Sequence, residues 1–467
     1  MKVLAVLAAG VAFCGCTVVG PDYRTPDRAA VKDPAAIQPF LGAASPAVSG
    51  VAPVNEWWRL YDDPQLSRLI EQAVAANSNL RVAAANLEAA RAALTETKSA
   101  GAVHAGVSGG VARDQESGED HLLDVKVPAE NVAAAGVSVS YEVDLVGKLR
   151  RAIEASQANA EATEAAMHLA RVSLVVGVTR AYAQACSAGR QHLVAERAID
   201  LQAQSLAVTE RLYKAGRGVR TDVTRARSQL AQLRSALPGF ESQQQAALYS
   251  LAMLLGRPPA DYPKAVEACR DIPLVARPIP VGDGASLLAR RPDVREAESR
   301  LAQATARIGV ATADLYPTIT LGASGGASGL LDDFGRPSTQ KFTVGPLISW
   351  TIPDRGARAR VRESEAASRA ALARFDGAVL GALRETETSL STYTHEIQRN
   401  DALRLARDAA ARAASETADF YRLGRVTYLA DLDAERTLAN ADAALAASDA
   451  QKALDQVDLF QALGGGW

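Results

Sequence analysis

Alternating apolar and polar residues predict four β-strands arranged as two hairpins. Most second positions are apolar over residues 103–111 and 137–143, and the pattern returns over residues 319–323 and 342–352. A two-residue period gives a strand one apolar face. Strands of about ten residues can cross a lipid bilayer at a tilt. The period alone also fits the packed core of a soluble β-sandwich, so this alternative stays open on the pattern.

Two aromatic residues favour lipid over a protein core for these strands. Tyr141 and Trp350 occupy equivalent positions in the two hairpins, near strand ends, where transmembrane barrels carry an interfacial girdle of aromatic side chains. Pro346 lies inside the fourth strand and cannot donate a hydrogen bond to a neighbouring strand. We therefore expect an aromatic girdle at Tyr141 and Trp350, and a bulge or a sheared edge at Pro346.

Long segments rich in Ala, Leu, Glu and Arg predict the helices. One helix is expected over residues 64–100, and a long rod follows each hairpin, over residues 148–214 and 357–422. At a rise of 1.5 Å per residue, a rod of about 67 residues is roughly 100 Å long. Each rod ends at a glycine turn, Gly216 or Gly424, from which a return helix runs back with coiled-coil spacing.

The order of these elements repeats, which indicates an internal duplication. Residues of the first half reappear a little over two hundred positions later, with Arg81 matching Arg295, Gly147 matching Gly356 and Gly216 matching Gly424. That spacing is too long for a solenoid repeat. The predicted organisation is a signal peptide (1–15), an extended N-terminal tail (16–57), a first repeat (58–256), a linker (257–284) and a second repeat (285–467). Each repeat comprises a helix, a β-hairpin, a long helix and a return helix.

The N-terminus has the layout of an export signal. A basic residue precedes an apolar run over residues 3–13, and a small residue stands directly before Cys16. This arrangement resembles a bacterial lipoprotein signal, in which the cysteine becomes the acylated first residue of the mature chain. Cys16 is the predicted lipid attachment site, with an ordinary signal peptide as the alternative. Cys14 would leave with the signal, and the remaining Cys186 and Cys269 fit neither a metal cluster nor a disulfide scaffold.

Charge and composition exclude several classes of function. With 51 basic and 53 acidic residues among 467, the chain has no charge excess for a nucleic acid partner. No run of about 20 apolar residues follows the signal, so no transmembrane helix is predicted and a membrane would be crossed by strands. The histidines are scattered without metal-ligand or acid-base spacing, and the glycines of residues 322–329 sit on a strand. No enzyme activity, cofactor or metal site is expected.

Four strands in one chain predict an oligomer. They cannot close a barrel, and an open edge in lipid would leave backbone groups unpaired at several kcal/mol each. Three copies supply twelve strands, enough for a water-filled lumen, whereas two copies supply eight strands with an interior filled by side chains. A homotrimer is therefore predicted for a protein that conducts ions or solutes, because only the larger barrel has an open lumen. The fold class is an internally duplicated α+β membrane protein, in which a trimeric twelve-stranded transmembrane β-barrel continues into a long periplasmic α-helical barrel.

Four short stretches carry a family likeness: residues 16–23 (CTVVGPDY), 140–148 (SYEVDLVGK), 290–295 (RRPDVR) and 463–467 (LGGGW). Over essentially its whole length the chain resembles the TolC-like outer-membrane factors of tripartite efflux pumps, in the lipoprotein branch. The resemblance implies a passive exit duct for small molecules, surrounded by outer-membrane lipid. It also implies two partners, a periplasmic adaptor (membrane fusion) protein and an inner-membrane resistance-nodulation-division pump. Val146 and His104 depart from the family pattern at strand ends.

The resemblance nominates a gate near the second glycine turn. The family closes its periplasmic tip with side chains that match Leu429 as an apolar plug, Asp433 as a lumen-facing ring and Arg436 as its ionic partner. A threefold ring of aspartates attracts cations and, when bridged to arginine, resists spreading of the helices. From the sequence alone, an ordinary exposed helix pair of residues three apart is the alternative. Beside the first turn, Asp222 and Arg225 are the predicted latch between hairpins.

The two copies differ most beside their helical tips. The turns at Gly216 and Gly424 are the predicted contacts with the adaptor. Where the first repeat has Val223, Arg225 and Ser228, the second repeat has Asp431, Asp433 and Arg436, respectively. This asymmetry is where a gate is expected. Two other functions remain open from the sequence: a type I protein-secretion outlet would have the same fold, and a trimeric envelope adhesin or tether would need no lumen.

Overall fold

The computed structural model describes residues 18–119, 122, 124–352 and 355–465. They divide into two compact units. Unit 1 contains the N-terminal segment up to Pro26 with residues 87–163 and 297–375, and unit 2 contains residues 27–86, 164–296 and those from 376 onward. Cys16, the predicted lipid attachment site, lies outside the described residues.

The described helices and strands follow the predicted order. The helices are α1 (Pro64–Ala76), α2 (Ser78–Ser99), α3 (Lys148–Lys214), α4 (Arg220–Arg234), α5 (Leu237–Leu254), α6 (Lys264–Glu267), α7 (Gly284–Arg290), α8 (Pro292–Ala313), α9 (Arg355–Arg422) and α10 (Tyr428–Ala462). The strands are β1 (Val48–Ser49), β2 (His104–Asp114), β3 (Glu130–Val143), β4 (Ile279–Pro280), β5 (Thr318–Leu330) and β6 (Gln340–Ser349). Both long rods, α3 and α9, are unbroken as the absence of proline predicts.

Unit 1 holds a four-stranded antiparallel sheet with one apolar face. The strand order is β2-β3-β5-β6, so the two predicted hairpins lie side by side. One row across the strands reads Ala105, Val139, Ala323 and Val344, and the next row, on the opposite face, reads Gly106, Ser138, Ser324 and Thr343. The valines of the apolar row are exposed in this chain. Neighbouring residues face opposite sides of a sheet, which is why the alternation collects into one continuous apolar surface.

The expected irregularity at Pro346 is wrong. Pairing of β5 with β6 runs without interruption from Thr318 opposite Ser349 to Ala327 opposite Gln340, with Pro346 opposite Leu321. Within this chain β6 is an edge strand. A proline is tolerated at this edge because no second strand of the same chain requires its missing N–H.

The N-terminal segment of unit 1 is fastened to the start of α3. The Val19 N–H donates to the Val146 carbonyl oxygen at 3.0 Å. The buried Arg151 donates from Nε to the Val19 carbonyl oxygen at 3.1 Å and from Nη2 to Asp22 Oδ1 at 2.7 Å. Charge-assisted bonds of this kind are the stronger class of hydrogen bond. Residues 19–22 are therefore held beside the end of β3.

Unit 2 contains an aromatic and aliphatic core. The Trp57 ring stacks on the Phe460 ring with centroids 4.5 Å apart, and both side chains are almost completely buried with Leu66, Leu251 and Ile279. The tail that the sequence predicts as extended contains short 3-10 turns and the strand β1, which pairs in parallel with β4 of the linker. The tail from residue 27 onward and the linker are thus both parts of unit 2.

The helix expected over residues 64–100 is wrong, because it breaks at Asn77. This residue has an extended conformation, with ψ of 130°, between α1 and α2. Its side chain accepts a hydrogen bond from the Leu80 N–H at 3.1 Å and donates one to the Leu254 carbonyl oxygen at 3.0 Å. The Asn77 side chain therefore replaces the helical bonds that the break removes, as asparagine does at helix starts. No proline or glycine marks the position in the sequence.

The expectation that Cys186 and Cys269 are unsuited to a disulfide is also wrong. They form a disulfide bond with Cα atoms 4.8 Å apart. Cys186 lies on α3, and Cys269 lies in the linker, which folds back onto this helix. Gly189 permits the approach, since a Cβ atom there would lie 2.4 Å from the Cys269 carbonyl oxygen. Two cysteines 83 residues apart carry no spacing motif, so the path of the linker decides the pairing.

Candidate channel gate

The two helical tips of unit 2 are built on the same turn. Gly216 and Gly424 have φ of 71° and 72°, the left-handed region that favours glycine. The residue after each glycine donates its N–H to a carbonyl oxygen five residues earlier, Arg217 to Leu212 and Arg425 to Phe420, both at 2.9 Å. This is the Schellman ending of a helix. The prediction of two equivalent turns is confirmed at the level of backbone geometry.

The predicted gate residues share one groove beside the second turn. Asp433 and Arg436 form an ion pair of 2.6 Å on the exposed side of α10, and Leu429, one turn earlier, is 51% exposed. Arg225 and Ser228 of α4 line the same cavity of about 280 Å³. The structure therefore brings one residue of the predicted latch, Arg225, to the predicted gate. A cationic side chain from the first copy thus adjoins an aspartate from the second.

The latch pair itself is loose. The Arg225 Nη1 atom lies 3.9 Å from Asp222 Oδ1, a distance at the limit of direct contact. An exposed pair of this length contributes little to stability. The Arg225 side chain is therefore available to the groove beside Asp433.

A buried acidic pair on α10 was not singled out as part of the gate from the sequence. Asp431 is only 6% exposed, and its Oδ1 has no hydrogen-bond partner. Glu435, one turn further, has a buried Oε2 that also lacks a partner. Burial raises the pKa of Asp431, and burial together with the charge of Asp431 raises the pKa of Glu435. Removal of a carboxylate from water disfavours its charged form.

A hydrogen bond between the first and the second repeat of the chain lies next to Asp431 and Glu435. The Ser205 hydroxyl of α3 and the Tyr428 hydroxyl of α10 are 2.9 Å apart, and the Tyr428 ring packs against Tyr421 of α9 at 5.8 Å. Three long helices thus meet at the level of Asp431. The sequence signal for this buried acid is that Asp431 stands at the position that matches Val223 of the first repeat. The burial of Asp431 depends on how α10 packs, which the sequence pattern does not show.

The aromatic pair predicted for the membrane interface lies at one end of the sheet. Tyr141 stands opposite Leu321, close to the end of β3, and Trp350 follows the last residue of β6. Both side chains are exposed, and the Trp350 Nε1–H donates to the Leu315 carbonyl oxygen at 3.2 Å. The two rings therefore belong to the end of the sheet where β3 and β6 lead into α3 and α9.

No described helix is both long enough and apolar enough to span a membrane. No group of three or more His, Cys, Asp or Glu side chains in the described part of the chain is arranged to hold a metal ion.

Comparison with known proteins gives the class of the chain. The family model described as outer membrane efflux protein matches residues 69–257 and 285–465. The chain belongs to this family, and it is an outer-membrane efflux channel of the TolC-like kind. The prediction of family and function class is confirmed. Its location in the outer membrane, with the helical part in the periplasm, is confirmed as well.

Individual relatives cover nearly the whole chain. The probable efflux pump outer membrane protein TtgC of Pseudomonas putida is 30% identical, over 97% of this chain and 93% of that protein. The probable outer membrane lipoprotein SilC of Salmonella typhimurium is 27% identical, over 97% and 96%. The solved structure of the outer-membrane channel OprN is 34% identical with a TM-score of 0.89, over 96% of this chain and 99% of that one.

Proposed function

We propose that three copies of the chain form a passive exit duct, with a twelve-stranded barrel in the outer membrane. The observation that carries this proposal is the sheet of unit 1: one face is apolar and exposed, and β2 and β6 each have only one strand neighbour in this chain. In lipid, unpaired edges must be closed, and contact with the edges of two further copies would close them.

The duct is gated at its periplasmic tip. Leu429 acts as the apolar plug, Asp433 forms a ring of three carboxylates, and Arg436 holds this ring together through ion pairs. Arg225, which lines the same groove, acts as the latch from the first copy, with Asp222 as its weak partner. Opening separates α4 from α10 and moves Arg225 away from the groove beside Asp433.

The energy for export comes from partners. A resistance-nodulation-division pump in the inner membrane drives the cargo, and a periplasmic adaptor contacts the tips at Gly216 and Gly424. The duct itself binds no cofactor and consumes no energy. Acyl chains on Cys16 anchor the chain in outer-membrane lipid, with Tyr141 and Trp350 in the aromatic girdle.

Single-channel recording tests the duct. Purified full-length protein in a planar bilayer should conduct ions with discrete steps, because a closed twelve-stranded barrel encloses water. A protein that inserts without any conductance would overturn the proposal and favour an envelope tether.

A double substitution tests the gate. Asp433→Ala with Arg436→Ala should raise the resting conductance severalfold, because it removes the ionic contacts that close the tip. The matched control is Asp419→Ala with Arg422→Ala, an exposed pair of the same type and spacing on α9. If both double variants conduct like the parent protein, Asp433 and Arg436 do not belong to the gate.

A further inference from the structure

The starts of α3 and α9 carry a dense cluster of basic residues. α9 begins with Arg355, Arg358, Arg360 and Arg362 before its first acidic residue, Glu363, and all four arginines are exposed. α3 begins with Lys148, Arg150 and Arg151. The first turn of neither helix contains an acidic residue. Basic side chains at a helix start oppose the helix dipole, which is positive at that end. This arrangement is favourable only when negative charge lies nearby.

Carboxylates within unit 1 supply part of that charge. Asp22 pairs with Arg151 at 2.7 Å, and Asp144 accepts from the Leu149 N–H at 3.0 Å. Asp314 lies 2.7 Å from the Lys148 ammonium nitrogen and 3.7 Å from Arg360 Nε. Because the same side chain contacts both helices, the starts of α3 and α9 adjoin. Arg358 and Arg362 form no ion pair with any carboxylate among the described residues. They are four positions apart, so they share one face of α9.

Three features place this basic cluster at a lipid surface. α3 and α9 follow the strands β3 and β6, whose apolar face is exposed. Trp350 lies between β6 and α9, and it is exposed as interfacial aromatic residues are. Val18, two residues after the predicted acylation site, packs against the position of Gly147 at the start of α3.

We propose that Arg358 and Arg362 bind the phosphate groups of anionic glycerophospholipids in the periplasmic leaflet of the outer membrane. The proposal rests on the barrel described under the proposed function, which sets the sheet in the bilayer. Guanidinium groups bind phosphate with paired hydrogen bonds, and the positive end of the α9 dipole adds to this attraction. The bound lipids would fix the depth of the barrel and compensate the charge of the helix start.

The test compares two double variants with equal loss of charge. Arg358→Gln with Arg362→Gln removes the proposed surface. Arg369→Gln with Arg374→Gln removes two exposed arginines of the same helix, roughly 17 Å further along its axis at 1.5 Å per residue. Full-length protein is purified in a neutral detergent, stripped of lipid and mixed with phosphatidylglycerol, phosphatidylcholine or lipid A. Native mass spectrometry then counts the bound lipid.

The parent protein and the Arg369 and Arg374 variant should prefer phosphatidylglycerol to phosphatidylcholine. In the Arg358 and Arg362 variant, affinity for phosphatidylglycerol should fall about 30-fold, the equivalent of about 1 kcal/mol for each charge removed. Equal affinity in the parent protein and this variant would overturn the inference. So would an equal loss in both variants, or a preference of the parent protein for lipid A. Conductance in phosphatidylcholine bilayers separates the lipid-binding proposal from the barrel proposal. A channel that conducts but shows no lipid preference overturns only the lipid-binding proposal. A protein that does not conduct overturns the barrel on which the lipid-binding proposal rests.

Discussion

At the scale of single residues, the predicted duplication provides an internal control for the buried acids of α10. In the first copy, Val223 fills the position of Asp431 and is buried as an apolar side chain. Arg227 fills the position of Glu435 and pairs with Glu210 of α3 at 2.7 Å. The second copy therefore has two acids where the first has an apolar contact and a satisfied ion pair. A buried carboxylate without a partner destabilises the packing around it.

Asp431→Val, which installs the residue of the first copy, should stabilise the protein at neutral pH. An unsatisfied buried polar group costs about 1–3 kcal/mol, so the apparent melting temperature should rise by a few degrees. The measurement is thermal unfolding of the purified protein in detergent. Asp433→Val, on the exposed side of the same helix turn, is the matched control and should not stabilise the protein. A lower melting temperature for Asp431→Val would mean that the carboxylate has a stabilising partner in the assembly.

The gain from Asp431→Val should also depend on pH. Because the folded-state pKa of Asp431 is raised, the folded protein binds this proton more tightly than the unfolded chain does. Its contribution to stability falls as the pH rises from the unfolded pKa through the raised value, so the advantage of valine should be larger at neutral pH than at an acidic pH close to the unfolded pKa. Tyr421 lies near Asp431 and also near Asp222 and Tyr428. The charged residues that line the cavity with Glu435 are Arg190, Arg197, Arg404, Arg407, Arg436, Asp408, Asp442 and Asp449. An advantage independent of pH would contradict a titrating Asp431.

At the scale of elements, the sequence pattern predicts those strands and helices that depend on interactions between neighbouring residues. The alternation of residues 319–323 predicted a strand, and proline-free segments predicted both rods, because strand faces and helix propensity are properties of neighbouring residues. The break at Asn77 escaped, because its side chain is held by the Leu254 carbonyl oxygen from a distant helix. The burial of Asp431 and the Cys186–Cys269 bond escaped for the same reason, since each depends on a contact remote in sequence.

The disulfide yields a prediction about the linker. Cys186→Ala with Cys269→Ala should lower stability by about 2–4 kcal/mol, the usual contribution of a disulfide that closes a long loop. The linker also has a polar contact near the disulfide, from Gln244 Nε2 to the Glu267 carbonyl oxygen at 3.0 Å. Hydrogen exchange should therefore increase over residues 257–284 while the remainder of unit 2 keeps its protection. A reductant should reproduce this change in the parent protein and have no effect on the double variant. Equal exchange in oxidised and reduced parent protein would mean that the disulfide does not hold the linker.

At the scale of the whole molecule, the polarity of the two faces of the sheet decides in which environment the sheet can lie. Ala105, Val139, Ala323 and Val344 form a row on one face, while their neighbours Gly106, Ser138, Ser324 and Thr343 form a row on the other. The apolar face suits lipid, and the small polar side chains suit a water-filled lumen. A soluble sandwich would instead bury the valines against a second sheet. Among the described residues, the other sheet has only two strands of two residues each.

Two neighbouring positions of β6 distinguish these environments. Val344→Arg places a charge on the apolar face, where it should cost about 2–4 kcal/mol near the middle of a bilayer. Thr343→Arg adds the same side chain one residue away, on the face assigned to the lumen, where water can solvate it. The amount of folded trimer in isolated outer membranes should therefore fall sharply for Val344→Arg and remain near the parent level for Thr343→Arg. Loss of the trimer with Thr343→Arg alone would mean that the face of Thr343, and not the face of Val344, contacts lipid. Equal tolerance of both substitutions would mean that the sheet does not lie in a bilayer.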